Sequence, residues 1–370
     1  QHRIADCSSD AIGARPMTAK SHSGFTLIEI LVALAIGALL LSGIVQVFTS
    51  LKQTDRVAMA LSRVQEAGRT AMDTLAYDLR MTGYKGCSDP TITENVNIIA
   101  LNAPTNDFIA DSLRGFDVTA TNWSSGTELS DIDGTAAGDA RLNSDVVSIM
   151  RASELSSELN EHDNNNSNVK VLGNPLELSK DDIAILSDCD SMDIFAITNV
   201  TGSGITTFAH GVGTTNSSNK LSKAYTDDNA RLLAFVSNTY FVSDTGRKNV
   251  AGDTIHALYK RDVNGVVSEV VEGVENLQIT YGEEFINGNR RFVAAGTAGL
   301  NMAQVTSIKF SVLVSSNDRV LESNDSTVYQ MAGTNIGPAS GSTSIKYEND
   351  RRLRKVFSMT VNLRNRRVSI

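Results

Sequence analysis

One stretch constrains this chain more than any other. From Gly24 to Phe48 it reads GFTLIEILVALAIGALLLSGIVQVF, and Glu29 is its one formal charge. A helix rises ~1.5 Å per residue, so Phe25 to Phe48 spans roughly 36 Å. That is enough to cross a hydrocarbon core of ~30 Å. A buried core helix is the alternative, but a segment apolar on every face over this length suits lipid better. Residues 25–48 are therefore expected to be transmembrane.

No proline follows, and the helix is expected to continue over residues 49–82. Val57, Leu61, Val64, Gly68, Ala71, Leu75 and Leu79 recur at spacings of four and three, which is one stripe of an amphipathic helix. Lys52, Asp55, Arg56, Arg63, Glu66, Arg69, Asp73 and Asp78 are expected on the other faces. Gly37, Gly43 and Gly68 each weaken the helix by ~1 kcal/mol relative to alanine, so bends are expected there. Thr82-Gly83 is a stop signal.

Residues 83–370 read as a mainly β head, with a loop-rich lobe at 83–145. Strands are expected at 146–150, 183–186, 194–200, 232–242, 256–261 and 277–281. Asn264-Gly265 between two apolar runs is a hairpin signal. Ile308, Phe310, Val312 and Val314 alternate, as do Phe357, Met359, Val361 and Leu363. Ser153 to Asn168 reads as an exposed loop, and Leu300–Val305 as a short helix. The fold class is α+β: a long N-terminal helix packed on a mainly antiparallel β head.

Three features go beyond a generic anchor. A hydrophilic segment ends in Gly24, a carboxylate follows at Glu29, and the apolar run passes directly into an amphipathic helix. Gly24-Phe25-Thr26-Leu27-Ile28-Glu29 resembles the type III signal of type IV pilins and type II secretion pseudopilins. Four later segments resemble the PilW type of minor pilin: GYKGC after the long helix, DDIAILSDCDSMDIFAIT around Cys189, GVENLQITYG at 273–282, and RRLRKVFSMTVNLRNR near the end.

The resemblance implies that residues 1–24 are a leader removed by a prepilin peptidase between Gly24 and Phe25, with methylation of the new N-terminus. Met17 is an alternative start of that leader. It implies that Glu29 meets the N-terminal amine of a neighbouring subunit. Read from the residues alone, Glu29 is a costly lone charge in an apolar span, or an interfacial side chain reaching headgroups. It implies other minor pilins, the major pilin and inner-membrane pilus assembly machinery as partners. It also implies a protein held in the bacterial inner membrane with its head in the periplasm, and at the pilus surface after assembly. The function so implied is a minor pilin that primes pilus growth at or near the tip. The alternatives are a type II secretion pseudopilin and a tip adhesin.

Cys7 falls in the leader, leaving Cys87 and Cys189 as an even pair in a head outside the cytoplasm. A disulfide is the expectation there, and it would close a loop worth roughly 4–5 kcal/mol. Two buried free thiols are the alternative. Net charge is −9, which gives no general basis for nucleic-acid binding. The basic run Arg351, Arg352, Arg354, Lys355, Arg364, Arg366 and Arg367 reads as the solvated face of the last strand. His162, His210 and His256 form no catalytic or metal-binding spacing. DIDGTAAGD at 131–139 lacks the pattern of an EF-hand. No enzyme, cofactor or metal site is expected.

Overall fold

The computed structural model describes residues 24–87, 96–119, 129–162, 164–226 and 229–366, and every count below refers to these. The expected leader, apart from Gly24, lies outside them, as do Cys7, Met17 and Arg367. The chain divides into two units, Gln1–Asp55 and Arg56–Ile370.

Helix α1 runs without interruption from Leu27 to Met81. In the first unit its side chains are almost all exposed, and it is long and apolar enough to cross a membrane. Its few hydroxyls bond back along the helix: Ser42 Oγ donates to Leu39 O at 2.8 Å and Thr49 Oγ1 to Gln46 O at 2.9 Å. Such back-bonding leaves these hydroxyls satisfied within an apolar span. The helix runs through Gly37, Gly43 and Gly68 without a break.

The second unit begins with the rest of α1 and continues as the head. Its elements follow as β1 (Val96–Ile98), α2 (Phe108–Asp111), β2 (Leu113–Phe116), β3 (Val146–Glu161), β4 (Val169–Leu172), β5 (Ile183–Ser187) and β6 (Met192–Ala196). Next come β7 (Asn199–Thr201), β8 (Ile205–Ala209), β9 (Arg231–Lys248), β10 (Thr254–Arg261), β11 (Val267–Glu272), β12 (Val274–Glu284) and β13 (Arg290–Val293). A 3-10 turn at Met302–Gln304 leads into β14 (Val305–Arg319), and β15 (Tyr329–Met331), β16 (Thr334–Pro338), β17 (Ile345–Tyr347) and β18 (Arg352–Asn362) complete the chain. The largest sheet runs β1-β6-β5-β9-β3-β4-β8-β7, with β10, β11 and β2 joined at its sides. A four-stranded sheet runs β13-β12-β14-β18, and a small sheet β15-β16-β17. Pairing is antiparallel except for β1 with β6 and β16 with β17.

The main core lies where α1 meets these sheets. Val64, Ala71, Met72, Leu75, Ala76 and Leu79 pack with Tyr240, Val242, Leu277, Ile279, Phe310, Val312 and Val361. The stripe read from the sequence is thus the buried one from Val64 onward, whereas Leu61 is exposed. Gly68 is needed in this stripe for a packing reason. A Cβ there would lie 2.3 Å from Cε2 of the Phe357 ring, so any larger residue would force that ring out of its place against the helix. The helix stops where expected, with Gly83 at φ +75° and its N–H bonded to Met150 O at 2.9 Å.

Three expectations are corrected. Ser153–Glu161 is not loop but the second half of β3; a register shift between Ala152 and Ser156 lets the strand go on to pair with β9 and β4. A bulge with polar residues hides a strand from alternation. Asp78 is not on a solvated face of α1 but buried. The C-terminal basic run is not simply a solvated face either: Arg352, Arg354 and Arg366 are buried, while Arg351, Lys355 and Arg364 are exposed. The short helix expected near Leu300 is the 3-10 turn.

Candidate functional site

The first site is the start of α1. Thr26 stands just before the helix, and its carbonyl accepts from the N–H groups of Glu29 and Ile30. Its hydroxyl oxygen accepts from Glu29 N at 3.3 Å, and Glu29 Oε2 accepts from Thr26 N and Thr26 Oγ1, each at 3.0 Å. This is a reciprocal capping box, in which two helix-end donors are satisfied by side chains three residues apart. Oε1 of Glu29 makes no hydrogen bond among the described residues. Gly24 and Phe25 precede the box and are exposed, Phe25 at 84%. The sequence marks Glu29 first by its charge, and the Thr-x-x-Glu spacing is the signal for its second role.

The second site joins α1 to the head. Asp78 Oδ1 accepts from Arg151 Nη2 at 3.0 Å, and Oδ2 accepts from Asn238 Nδ2 and Tyr240 Oη, both at 2.6 Å. Arg151 comes from β3, and Asn238 and Tyr240 from β9. One carboxylate therefore ties the helix to two central strands. Burial and the negative Asp78 push the Tyr240 phenol well above its usual pKa, which keeps it a donor. No local sequence signal marks Asp78, because its partners lie 73 to 162 residues away.

Cys87 and Cys189 do meet. Their sulfurs lie 2.7 Å apart as free, exposed thiols. Partial burial and the neighbouring thiol push the Cys87 pKa up to about 11. Cys189 sits in the turn between β5 and β6, where Asp188 Oδ1 accepts from the N–H groups of Asp190 and Ser191.

A buried ionic cluster occupies the root of β18. Glu275 accepts from Arg354 Nε at 2.7 Å and pairs with Arg352 Nη2 at 2.9 Å. Asp350 accepts from Arg352 Nε at 2.6 Å and from Arg354 Nη1 at 2.8 Å. Arg141 donates to the Glu275 carbonyl, and the Arg354 guanidinium lies 4.3 Å from the Tyr347 ring centroid. Burial raises the Glu275 pKa, but Arg354 and Arg352 outweigh it and hold the carboxylate at about 2. Burial lowers His256 to about 3, with help from Arg141, so it is neutral here. The cluster links β12, β18 and the loop before β18 within the second unit. Its carboxylates and the Arg352 and Arg354 guanidiniums are occupied with one another.

In the DIDGTAAGD segment Asp131 Oδ2 accepts from Arg261 Nε at 2.7 Å, and Asp139 Oδ2 accepts from Ala136 N of the segment itself at 2.7 Å. Among the described residues no group of three or more His, Cys, Asp or Glu is gathered as metal ligands.

Comparison with known proteins agrees with this geometry. Residues 19–45 match the prokaryotic N-terminal methylation motif, which covers the capped helix start. Residues 239–365 match the family described as Type IV Pilus-assembly protein W, from within β9 to just past β18. No curated protein and no solved structure matches the chain. An apolar α1 with a methylation motif at its start fits an inner-membrane-anchored pilin that is later incorporated into the pilus. The function supported by both matches is that of a minor pilin involved in assembly of the type IV pilus. The two matches thus support a type IV pilin-like protein of the PilW type.

Proposed function

We propose that this minor pilin takes part in priming pilus growth and sits at or near the pilus tip. A prepilin peptidase would cut between Gly24 and Phe25. The new Phe25 N-terminus then lies one residue before the capping box. The observation that carries the reading is the box itself: a single carboxylate, held at the mouth of a helix that carries no other charge before Lys52, with one oxygen spare. In a filament core that oxygen can take the N-terminal amine of a neighbouring pilin. A buried ion pair of this kind fixes register between subunits.

Other minor pilins, the major pilin and the inner-membrane assembly machinery are the partners this role requires. The head supports a low-copy place, because it is far larger than a repeating fibre needs. In the oxidising periplasm Cys87 and Cys189 would close into a disulfide, for which their approach prepares them. The bond would staple the segment after α1 to the β5–β6 turn. The role is one of structure and assembly rather than catalysis.

Immunogold labelling of sheared pili tests the position. Label confined to fibre ends, and loss of most pili in cells lacking the protein despite normal major pilin, is the expected result. Label distributed along the shaft would contradict a tip position.

A further inference from the structure

Beyond assembly, the head holds a pair of carboxylates where β2 and β3 meet. In the ladder between β2 and β3, Phe116 is opposite Val146. The same register carried one step further sets Asp117 opposite Asp145. Directly opposed residues on antiparallel strands share a face, and like charges in that position repel. Asp145 is fixed there: its N–H donates to Leu277 O at 2.8 Å, and its Oδ2 accepts from Ile279 N at 2.7 Å. It is only 5% exposed, whereas Asp117 is open to solvent.

No basic side chain among the described residues offsets the pair. Burial, with the negative charge of Asp117 adding to it, raises the Asp145 pKa to about 8 against the opposing Ile279 N–H. Asp117, exposed at the surface but partly covered by its neighbours, is raised by that partial desolvation.

A second feature points into the same place. Tyr281, on β12, is buried, and its hydroxyl has no hydrogen-bond partner among the described residues. The hydroxyl lies against Gly115, two residues before Asp117; a Cβ at Gly115 would come within 2.2 Å of it. Burial, and after it the charges of Asp145 and Asp117, push this phenol well above its usual pKa. A buried hydroxyl without a partner is costly, and so is an opposed pair of carboxylates. One positive ion between them removes both costs.

We propose that Asp117 and Asp145, with the Tyr281 hydroxyl oxygen, bind a hard divalent cation, calcium. All donors are oxygen, which disfavours zinc and suits calcium. Magnesium demands a near-ideal octahedron and keeps its waters, whereas calcium accepts irregular shells completed by water and loop carbonyls. With two carboxylates the affinity belongs to the extracellular class, on the order of 0.1–1 mM.

The test is thermal unfolding of the full-length chain in detergent micelles at neutral pH, after chelator treatment. With about 10 mM calcium chloride the midpoint should rise by roughly 3 °C or more. Asp117→Asn, at the exposed side of the pair, should abolish the rise. Asp145→Asn should abolish it too, and should raise the midpoint measured without calcium. Magnesium at the same concentration should give less than half the calcium effect. No calcium response in the wild type, or an equal response in Asp117→Asn, overturns the site. So does an equal response to magnesium, or a midpoint that acidification raises and calcium leaves unchanged, since a proton alone then occupies the pair.

Discussion

At the residue scale, Glu29 carries two roles that chemistry can separate. As a capping residue it needs only an acceptor oxygen, which glutamine also supplies. As the partner of a neighbouring amine it needs its charge. Glu29→Gln should therefore leave the amount of protein in the membrane unchanged and sharply reduce piliation. Quantitative blots of membranes and of sheared fibres read the two effects. Piliation equal to wild type would leave Glu29 with capping alone. Gly68 makes a related point. Alanine would favour the helix by ~1 kcal/mol, yet here its methyl would collide with the Phe357 ring. Overpacking of that kind costs ~1–3 kcal/mol.

At the scale of elements, the junction of α1 with the head rests on apolar packing around one carboxylate. Asp78→Ala removes the acceptor for Arg151, Asn238 and Tyr240 at once. It leaves the buried guanidinium without its Asp78 partner, so a loss of ~3–5 kcal/mol is expected. Denaturant unfolding of the full chain measures this, and a loss below ~1 kcal/mol would show the tie to be incidental. This junction also marks how far the sequence could be read. The extent of α1, its stop at Gly83 and its buried stripe were legible, because period and capping are local. So were the longer strands and the Asn264-Gly265 hairpin. The second half of β3 was not, since a bulge breaks alternation. Asp78 and Arg354 were also missed. A charge on a helix or strand looks solvated until a distant partner is brought to it, and nothing local names that partner. Of the assembly segment, the signal names Gly24, Phe25 and Glu29 as candidates, whereas Thr26 shows itself as a cap only in the structure.

At the scale of the whole molecule, the cluster around Glu275 ties β12 and β18 together through charge. The Glu275 carboxylate is held at about 2 in the fold, below its ordinary value near 4.5. A group whose pKa is lowered by folding contributes stability that is present above the unfolded value and is lost as pH falls through the folded one. The head should thus lose stability steeply between about pH 4.5 and 2. Glu275→Gln should flatten that window while lowering stability at neutral pH, because Arg352 and Arg354 are then left undercompensated. Unfolding midpoints across pH follow both effects; an unchanged acid slope in the variant would assign the loss to other carboxylates.

The central claim is that this chain enters the pilin pathway through cleavage at Gly24–Phe25. Intact mass and N-terminal sequencing of protein from membranes, with and without the prepilin peptidase, test it most directly. The account predicts a mature chain that begins at methylated Phe25 only when the peptidase is present. Its mass should also be lower by two hydrogens under non-reducing conditions, from the Cys87–Cys189 bond. A chain left uncut, or cut elsewhere, would contradict the claim.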